Sequence, residues 1–225
     1  MFSRFAVTRA GVLLATIGVG LGLSAAAHAE NRCPASAAGS PALDELDPPR
    51  RLAWISAHLS RSEERARLWT FGWGGGIALA GVGSLAAVPF VAPETRVDWY
   101  TGAVSAGVGV AAFVVAPPAV LADAPALRAE IARSGSGADV CPLLASAEAR
   151  LVRDARDEER SGRWYVHVGN LLFNTGLGLF LGLGYHHWGA GVVNALAGAA
   201  VGEAIIFTRP TAAIDDLGAY SKGAL

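Results

Sequence analysis

The sequence predicts an all-α membrane protein whose four transmembrane helices form two duplicated hairpins, each preceded by an amphipathic helix. Three observations support this fold class. The chain is 52% hydrophobic and 16% charged, whereas soluble domains carry about 25% charged residues. Four apolar stretches, in which Glu203 is the single acidic or basic residue apart from histidine, are each long enough to cross a bilayer, and the chain contains an internal repeat. A soluble bundle with a buried apolar core is the alternative, but it explains four such Gly-rich stretches less well.

The N-terminus, residues 1–29, has the organisation of a cleavable signal peptide. Two arginines give it a basic start, and residues 10–27 form an apolar run without a charged side chain. Ala27-His28-Ala29 then satisfies the small-x-small rule for cleavage, with Glu30 as the first mature residue. An uncleaved anchor helix is the alternative. Both interpretations place the chain from residue 30 onward outside the cytoplasm.

Cys33 and Cys141 are the two cysteines of the chain, and each is followed by proline. Two cysteines on the same side of the membrane in an oxidising compartment are expected to pair. Neither has a histidine or a second cysteine at the spacing of a metal site. The sequence therefore predicts a Cys33–Cys141 disulfide and no metal centre.

The first repeat unit is predicted at residues 50–121, after a Pro/Ser/Ala-rich linker at residues 30–49. Its first part, residues 50–68, has apolar residues at helical spacing on one side and charged residues on the other, which predicts an amphipathic helix. Two uncharged stretches then predict a hairpin of transmembrane helices. These spans are residues 69–91 and 99–121, joined by a polar connection at residues 92–98.

The second repeat unit is predicted at residues 143–209, after a polar linker at residues 122–142. It begins with a second charged amphipathic helix, which extends to residue 163. Its transmembrane helices are predicted at residues 164–185 and 189–207, with His186-His187-Trp188 as the turn. A short polar tail follows at residues 210–225.

The two units share a pattern of residues. Glu63-Glu64-Arg65 precedes Trp69 at the spacing with which Glu158-Glu159-Arg160 precedes Trp164. Each unit is also headed by Cys-Pro and closed by a proline. A two-fold duplication with an even number of spans per unit predicts parallel halves, related by an axis along the membrane normal.

Export of residue 30 predicts an inner-membrane protein with its N-terminus, amphipathic helices and C-terminus on the periplasmic side. The arginine-rich composition, with Lys222 as the single lysine, favours a bacterial source. The positive-inside rule opposes this orientation. The outer segment at residues 122–163 alone carries seven arginines, at positions 128, 133, 150, 153, 156, 160 and 163.

Polar side chains within the predicted spans concentrate in the second unit. His167, Asn170 and Asn174 lie at i, i+3 and i+7, which is one face of a helix. Glu203 lies at a similar depth in the antiparallel partner. A carboxylate inside a membrane span marks a candidate functional site. The hypothesis is a polar pocket or a proton or ion site, and the alternative is simple hydrogen bonding between helices.

Two further patterns have structural interpretations. His186 and His187 could contribute to a metal site, but adjacent histidines on a tight turn rarely converge on one ion, so an interfacial turn is favoured. Several small-xxx-small pairs predict close helix packing within the bundle or between protomers. They are Gly74–Ala78, Gly76–Ala80, Ser105–Gly109, Gly178–Gly182 and Gly198–Gly202.

The two amphipathic helices either lie on the membrane surface or pack together as an outer cap clamped by the disulfide, and the cap is preferred. No nucleophile–base pair, phosphate loop or zinc signature is visible, and no cofactor is predicted. The net charge of −1 gives no reason to expect nucleic acid as a partner. The expected partners are the lipid bilayer and a membrane protein or a second copy of the chain.

The function predicted is a non-enzymatic membrane scaffold or assembly subunit. A small transporter or channel subunit using the cluster around Glu203 is the alternative, and an intramembrane enzyme has the least support.

Overall fold

The computed structural model describes Cys33, residues 41–135 and residues 137–225. The predicted signal peptide and half of the predicted linker at residues 30–49 lie outside these residues. Of the described residues, 85% are helical and none forms a strand. Four helical segments are long and apolar enough to cross a membrane. The all-helical class and the four candidate membrane helices are therefore confirmed.

The first half of the chain begins with one long helix. Helix α1, Pro48–Ala87, has 40 residues, which corresponds to a length of about 60 Å. It joins the predicted amphipathic helix and the first predicted span without a break. Short 3-10 turns at Val88–Phe90 and Pro93–Thr95 lead into α2, Arg96–Val115. This helix ends before Pro117-Pro118, which supply no backbone N–H donors.

Helix α3, Val120–Ser134, lies largely inside the segment assigned as a linker at residues 122–142. The sequence predicts a polar linker here, yet Ala, Leu, Arg and Glu, which favour helices, make up most of α3. Ala124 and Leu127 are buried in the core. Pro125 lies inside the helix, and burial of this apolar face helps to offset the backbone hydrogen bond that proline removes.

Helix α4, Val140–Ser161, begins where the Asp139 side chain accepts a hydrogen bond from the Cys141 backbone N–H. The second hairpin follows as α5, Trp164–Tyr185, and α6, Trp188–Phe207. His186 ends α5 in the left-handed conformation, with φ of 60°. The segment predicted as a polar tail contains α7, Ala212–Ser221.

The N-terminal half of α1 packs with α3, α4 and α7 into a helical unit, which we call the cap. Fully buried side chains from the different elements meet in its core. They are Leu43, Ile55, Leu59, Leu127, Leu144, Leu151 and Tyr220. The predicted Cys33–Cys141 disulfide is confirmed and lies against this core, with the two Cα atoms 5.2 Å apart.

A buried polar contact joins three elements of the cap. The Arg51 guanidinium on α1 is 2% exposed and pairs with Glu148 on α4. Its Nε donates to the Tyr220 hydroxyl on α7 at 2.9 Å, and Nη1 donates to the Leu43 carbonyl at 3.2 Å. The hydrogen bonds compensate the cost of burying this charge.

The C-terminal half of α1 forms the first hairpin with α2, and the two hairpins contact each other near their two ends. At the cap end, Trp69 and Trp73 donate from their indole nitrogens to the Thr208 hydroxyl at 3.3 and 2.9 Å. At the turn end, His187 Nδ1 lies 2.8 Å from Asp98 Oδ1.

The two halves differ where the cap meets the spans. Helix α1 continues through this boundary, whereas Gly162 and Arg163 separate α4 from α5. In the repeat alignment Gly162 occupies the position of Arg67, and glycine is a poorer helix former by about 1 kcal/mol. The duplication therefore stays a prediction, with a continuous first copy and an interrupted second copy.

Candidate functional site

The four polar residues predicted within the second hairpin meet between α5 and α6. His167 Nδ1 lies 2.5 Å from Glu203 Oε2, and Asn170 Nδ2 donates to Glu203 Oε1 at 3.0 Å. Asn170 Nδ2 also donates to the Ala199 carbonyl at 3.0 Å. Asn174 Nδ2 donates to the Asn170 Oδ1 atom at 2.8 Å, and Asn174 is buried, with 6% of its surface exposed. Each side chain of the cluster thus has a hydrogen-bond partner.

Glycines on α6 make room for the two asparagines. A Cβ atom on Gly198 would collide with the Asn174 side chain, and one on Gly202 would collide with Asn170. The predicted pair Gly198–Gly202 therefore accommodates polar side chains of the facing helix, which a pure packing motif does not require.

The chemistry available to this cluster is limited by its own contacts. Glu203 is engaged through both carboxylate oxygens, and the Asn170 amide is shared between a carbonyl and a carboxylate. The side chains of His167 and Glu203 are 25% and 24% exposed. These contacts are the ones expected for hydrogen bonding between helices. The His167 and Glu203 side chains are partly exposed, so an ion or proton site stays a hypothesis.

The two histidines of the second turn have different surroundings. His186 is exposed at the end of α5, whereas His187 contacts Asp98 of the other hairpin. Within the described residues, no group of three His, Cys, Asp or Glu side chains is arranged to hold a metal ion.

A second candidate site was not predicted. A cavity of about 460 Å³ lies between the two hairpins beneath the cap. Its walls come from the cap-facing ends of all four spans, and they include Trp69, Ile77, Phe113, Val166 and Ile205. The volume falls in the range of small-molecule pockets, about 300–1,000 Å³.

Charged residues lie at one end of this cavity. Asp157 and Arg160 come from the last turns of α4, and Arg209 follows α6. Arg209 Nη2 donates to Asp157 Oδ2 at 2.9 Å, and its guanidinium lies 5.6 Å from the Trp69 ring centre. Arg160 is exposed, and its guanidinium has no carboxylate partner in the described part of the chain.

A third feature is a pair of buried carboxyls in the cap. Asp123 is 5% exposed and Asp154 is 1% exposed. Arg153 Nε donates to Asp123 at 2.7 Å, and Arg150 lies 3.4 Å from the same carboxyl. Within the described residues, no N–H or O–H group donates to either Asp154 oxygen. A hydrogen bond between Asp154 and Asp123 requires a proton on one of the two carboxyls.

Burial, together with the neighbouring Asp123 carboxyl, raises the pKa of Asp154 to about 8, against the opposing charge of Arg153. Burial likewise raises the pKa of Glu158 to about 7, against the hydrogen bonds it accepts from the backbone of α7. Both side chains line a small void of about 10 Å³ beside Arg209, which is close to the least space that holds one water molecule. At neutral pH the Asp154 carboxyl is therefore mostly protonated in the folded cap.

No family model, curated protein or solved structure matches the chain.

The four residues of the cluster come together because a short turn fixes which residues of two antiparallel helices are opposite each other. The cavity follows from no such local rule, and the sequence offers one weak signal for it. Arg160 and Arg209 both lie at cap-facing ends of predicted spans, where a charged side chain at the boundary can face a shared site.

Proposed function

We propose that the chain is a non-enzymatic integral membrane scaffold or assembly subunit, acting through helix packing and a helical cap. One observation carries this proposal. The cap has a closed core, whereas only 6–17% of the residues in the most apolar part of each span are buried within the chain. Most of the surface of the spans is thus left for lipid and for neighbouring helices.

The outward face of α1 supports contact with another helix. Gly72, Gly76, Ala80 and Gly83 are exposed at spacings of four, four and three residues. A Cβ atom added to any of the three glycines would meet nothing within 4 Å. In contrast, Gly81 on the opposite face packs against Ala106 of α2. Small residues on an open membrane face allow close approach of a partner backbone.

We further propose that the protein lies in a bacterial inner membrane with the cap and both described ends of the chain on the periplasmic side. The disulfide supports this orientation because such bonds persist in oxidising compartments. Four of the seven arginines at residues 122–163 that oppose it have carboxylate partners. Arg128, Arg150, Arg153 and Arg163 each form an ion pair with a carboxylate.

Labelling with a membrane-impermeant thiol reagent tests the orientation. Ala138→Cys places a thiol on the exposed loop that precedes α4 of the cap. Ala92→Cys places a thiol on the exposed turn of the first hairpin. In intact spheroplasts, we expect labelling at position 138 and protection at position 92. The opposite pattern would contradict the proposed orientation.

Purification in a mild detergent tests the scaffold. We expect a stoichiometric membrane-protein partner or a defined homo-oligomer to co-purify with the wild-type chain. Gly76→Leu should release that partner, because its side chain fills the open face of α1. Gly189→Leu, at an equally open glycine of α6, is the matched control and should retain it. A monomer without any partner would argue against the scaffold.

The His167–Glu203 contact favours one alternative, a small transporter or channel subunit. A partly exposed carboxylate–imidazole pair within a span is unusual in a purely structural hairpin. Ion flux into liposomes that contain the purified protein would support this alternative. Glu203→Gln should then abolish the flux, whereas unchanged flux in that variant would exclude the cluster as its pathway.

A further inference from the structure

The cavity between the hairpins is apolar over most of its surface and charged at one end only. Its apolar walls come from residues inside the spans, such as Ile77, Phe113 and Ile205. Its polar residues, Asp157, Arg160, Ser161 and Arg209, all belong to the boundary between spans and cap. The site therefore has the polarity of an amphiphile with its polar end towards the cap.

The charged end carries an unbalanced positive charge. Arg209 is neutralised by Asp157 and lies over the Trp69 ring. Arg160 has no such carboxylate among the described residues, although it lies on the same rim. One net positive charge thus borders the mouth, and it is complementary to an anionic headgroup.

The cavity is open rather than sealed, because Ala112 on its wall and Arg160 on its rim are both exposed. Its volume of about 460 Å³ is about three times that of an engineered cavity that binds benzene. This space accommodates part of one acyl chain. The second chain of a phospholipid would remain in the bilayer, which the open side faces.

We propose that this cavity binds one acyl chain of an anionic phospholipid, with its net negative headgroup at Arg160. The apolar walls stabilise the acyl chain by keeping it out of contact with water. The Arg160 guanidinium donates hydrogen bonds to phosphate oxygens at the depth where headgroups lie. Trp69 borders the same boundary, where aromatic side chains are favoured. The site is independent of the proposed scaffold role.

Native mass spectrometry of the full chain in detergent tests the site. The protein is mixed with equal amounts of phosphatidylglycerol and phosphatidylcholine that carry identical acyl chains. We expect one bound phosphatidylglycerol per chain and a preference of about fivefold over phosphatidylcholine, the effect of one partly exposed ion pair. Equal retention of the two lipids, or of neither, would overturn the proposal.

Two matched pairs of variants locate the binding. Arg160→Gln should remove the headgroup preference, whereas Arg163→Gln, an exposed arginine outside the cavity, should keep it. Ala112→Phe should fill the cavity and prevent retention of both lipids, whereas Ala111→Phe on the neighbouring exposed position should not. Equal effects within either pair would contradict a site at this cavity. If Ala112→Phe fails to fold, the Arg160 pair still decides the outcome.

Discussion

Asn170 and Asn174 illustrate how a polar side chain is tolerated in an apolar hairpin. Each lies opposite a glycine of α6, at Gly202 and Gly198, and each donates hydrogen bonds within the hairpin. Burial of an unsatisfied amide would cost several kcal/mol in an apolar environment. The glycines and the asparagines therefore depend on one another.

Gly202→Ala is expected to destabilise the second hairpin by about 1–3 kcal/mol, because the added methyl group displaces the Asn170 side chain. Gly189→Ala is the control on the same helix, since its Cβ would meet nothing within 4 Å. Thermal unfolding in detergent, followed by circular dichroism, measures both. A Gly202→Ala variant as stable as wild type would show that Asn170 can move without loss.

Asp154 makes the stability of the cap depend on pH. Its folded pKa of about 8 lies above the ordinary value of an aspartate, near 3.9. The folded state therefore binds the proton more tightly, and the resulting stability is fully present below about pH 4. It is lost progressively as the pH rises through 8. Glu158, with a pKa of about 7, adds to this loss in the lower part of the range.

Between pH 5 and pH 9 we expect the melting temperature of the wild type to fall by about 10 °C, for a loss on the order of 4 kcal/mol from Asp154. Asp154→Asn should flatten this dependence, because the amide stays neutral. Glu64→Gln, at an exposed carboxylate of α1, should leave it unchanged. Differential scanning calorimetry compares the three proteins. The same slope in Asp154→Asn and wild type would contradict the role of this carboxyl.

The cap depends on contacts between elements that lie far apart in sequence. Helix α7 follows the last span, yet its Tyr220 is fully buried and contacts Arg51 of α1. Helix α3 contributes Leu127 to the same core. The disulfide joins residues separated by 108 positions and lies against the same core.

Replacement of both Cys33 and Cys141 by serine is expected to destabilise the cap by about 4 kcal/mol, because a long loop in the unfolded chain is no longer closed. Thermal unfolding in detergent with and without a reducing agent measures the effect. The reductant should lower the melting temperature of the wild type to that of the double variant. It should leave the double variant itself unchanged, and a shift there would indicate an effect unrelated to the disulfide.

At the scale of the whole molecule, the hairpins are joined near their ends and enclose a cavity beneath the cap. Thr208 accepts from Trp69 and Trp73 at the cap end, and Asp98 contacts His187 at the turn end. The cavity lies near the first of these contacts. The relative position of the hairpins thus rests on a few polar contacts.

Asp98→Ala is expected to loosen the turn ends by removing a contact worth about 1 kcal/mol. Spin labels at positions 92 and 189 report the distance between the two turns by pulsed electron paramagnetic resonance. The distance distribution should broaden in Asp98→Ala. It should stay as in the wild type for Glu94→Gln, an exposed carboxylate of the same turn. An unchanged distribution in Asp98→Ala would mean that other contacts fix the turns.

The sequence by itself determined the four apolar spans, the pairing of Cys33 with Cys141 and the juxtaposition of His167 with Glu203. These features follow from local rules: an apolar run of sufficient length, a shared compartment, and a tight turn that fixes the facing positions. Hydrophobic periodicity and short connections act over a few residues, so they are visible without a three-dimensional structure.

Only the tertiary structure decided which polar groups are paired and which surfaces are closed. It placed α3 and α7 in the cap core, paired Arg209 with Asp157, left Arg160 at the rim and opened a cavity between the hairpins. The physical reason is that burial and ion pairing depend on side chains from different helices. Their relative positions follow from the packing of the whole chain, and no local pattern of residues encodes them.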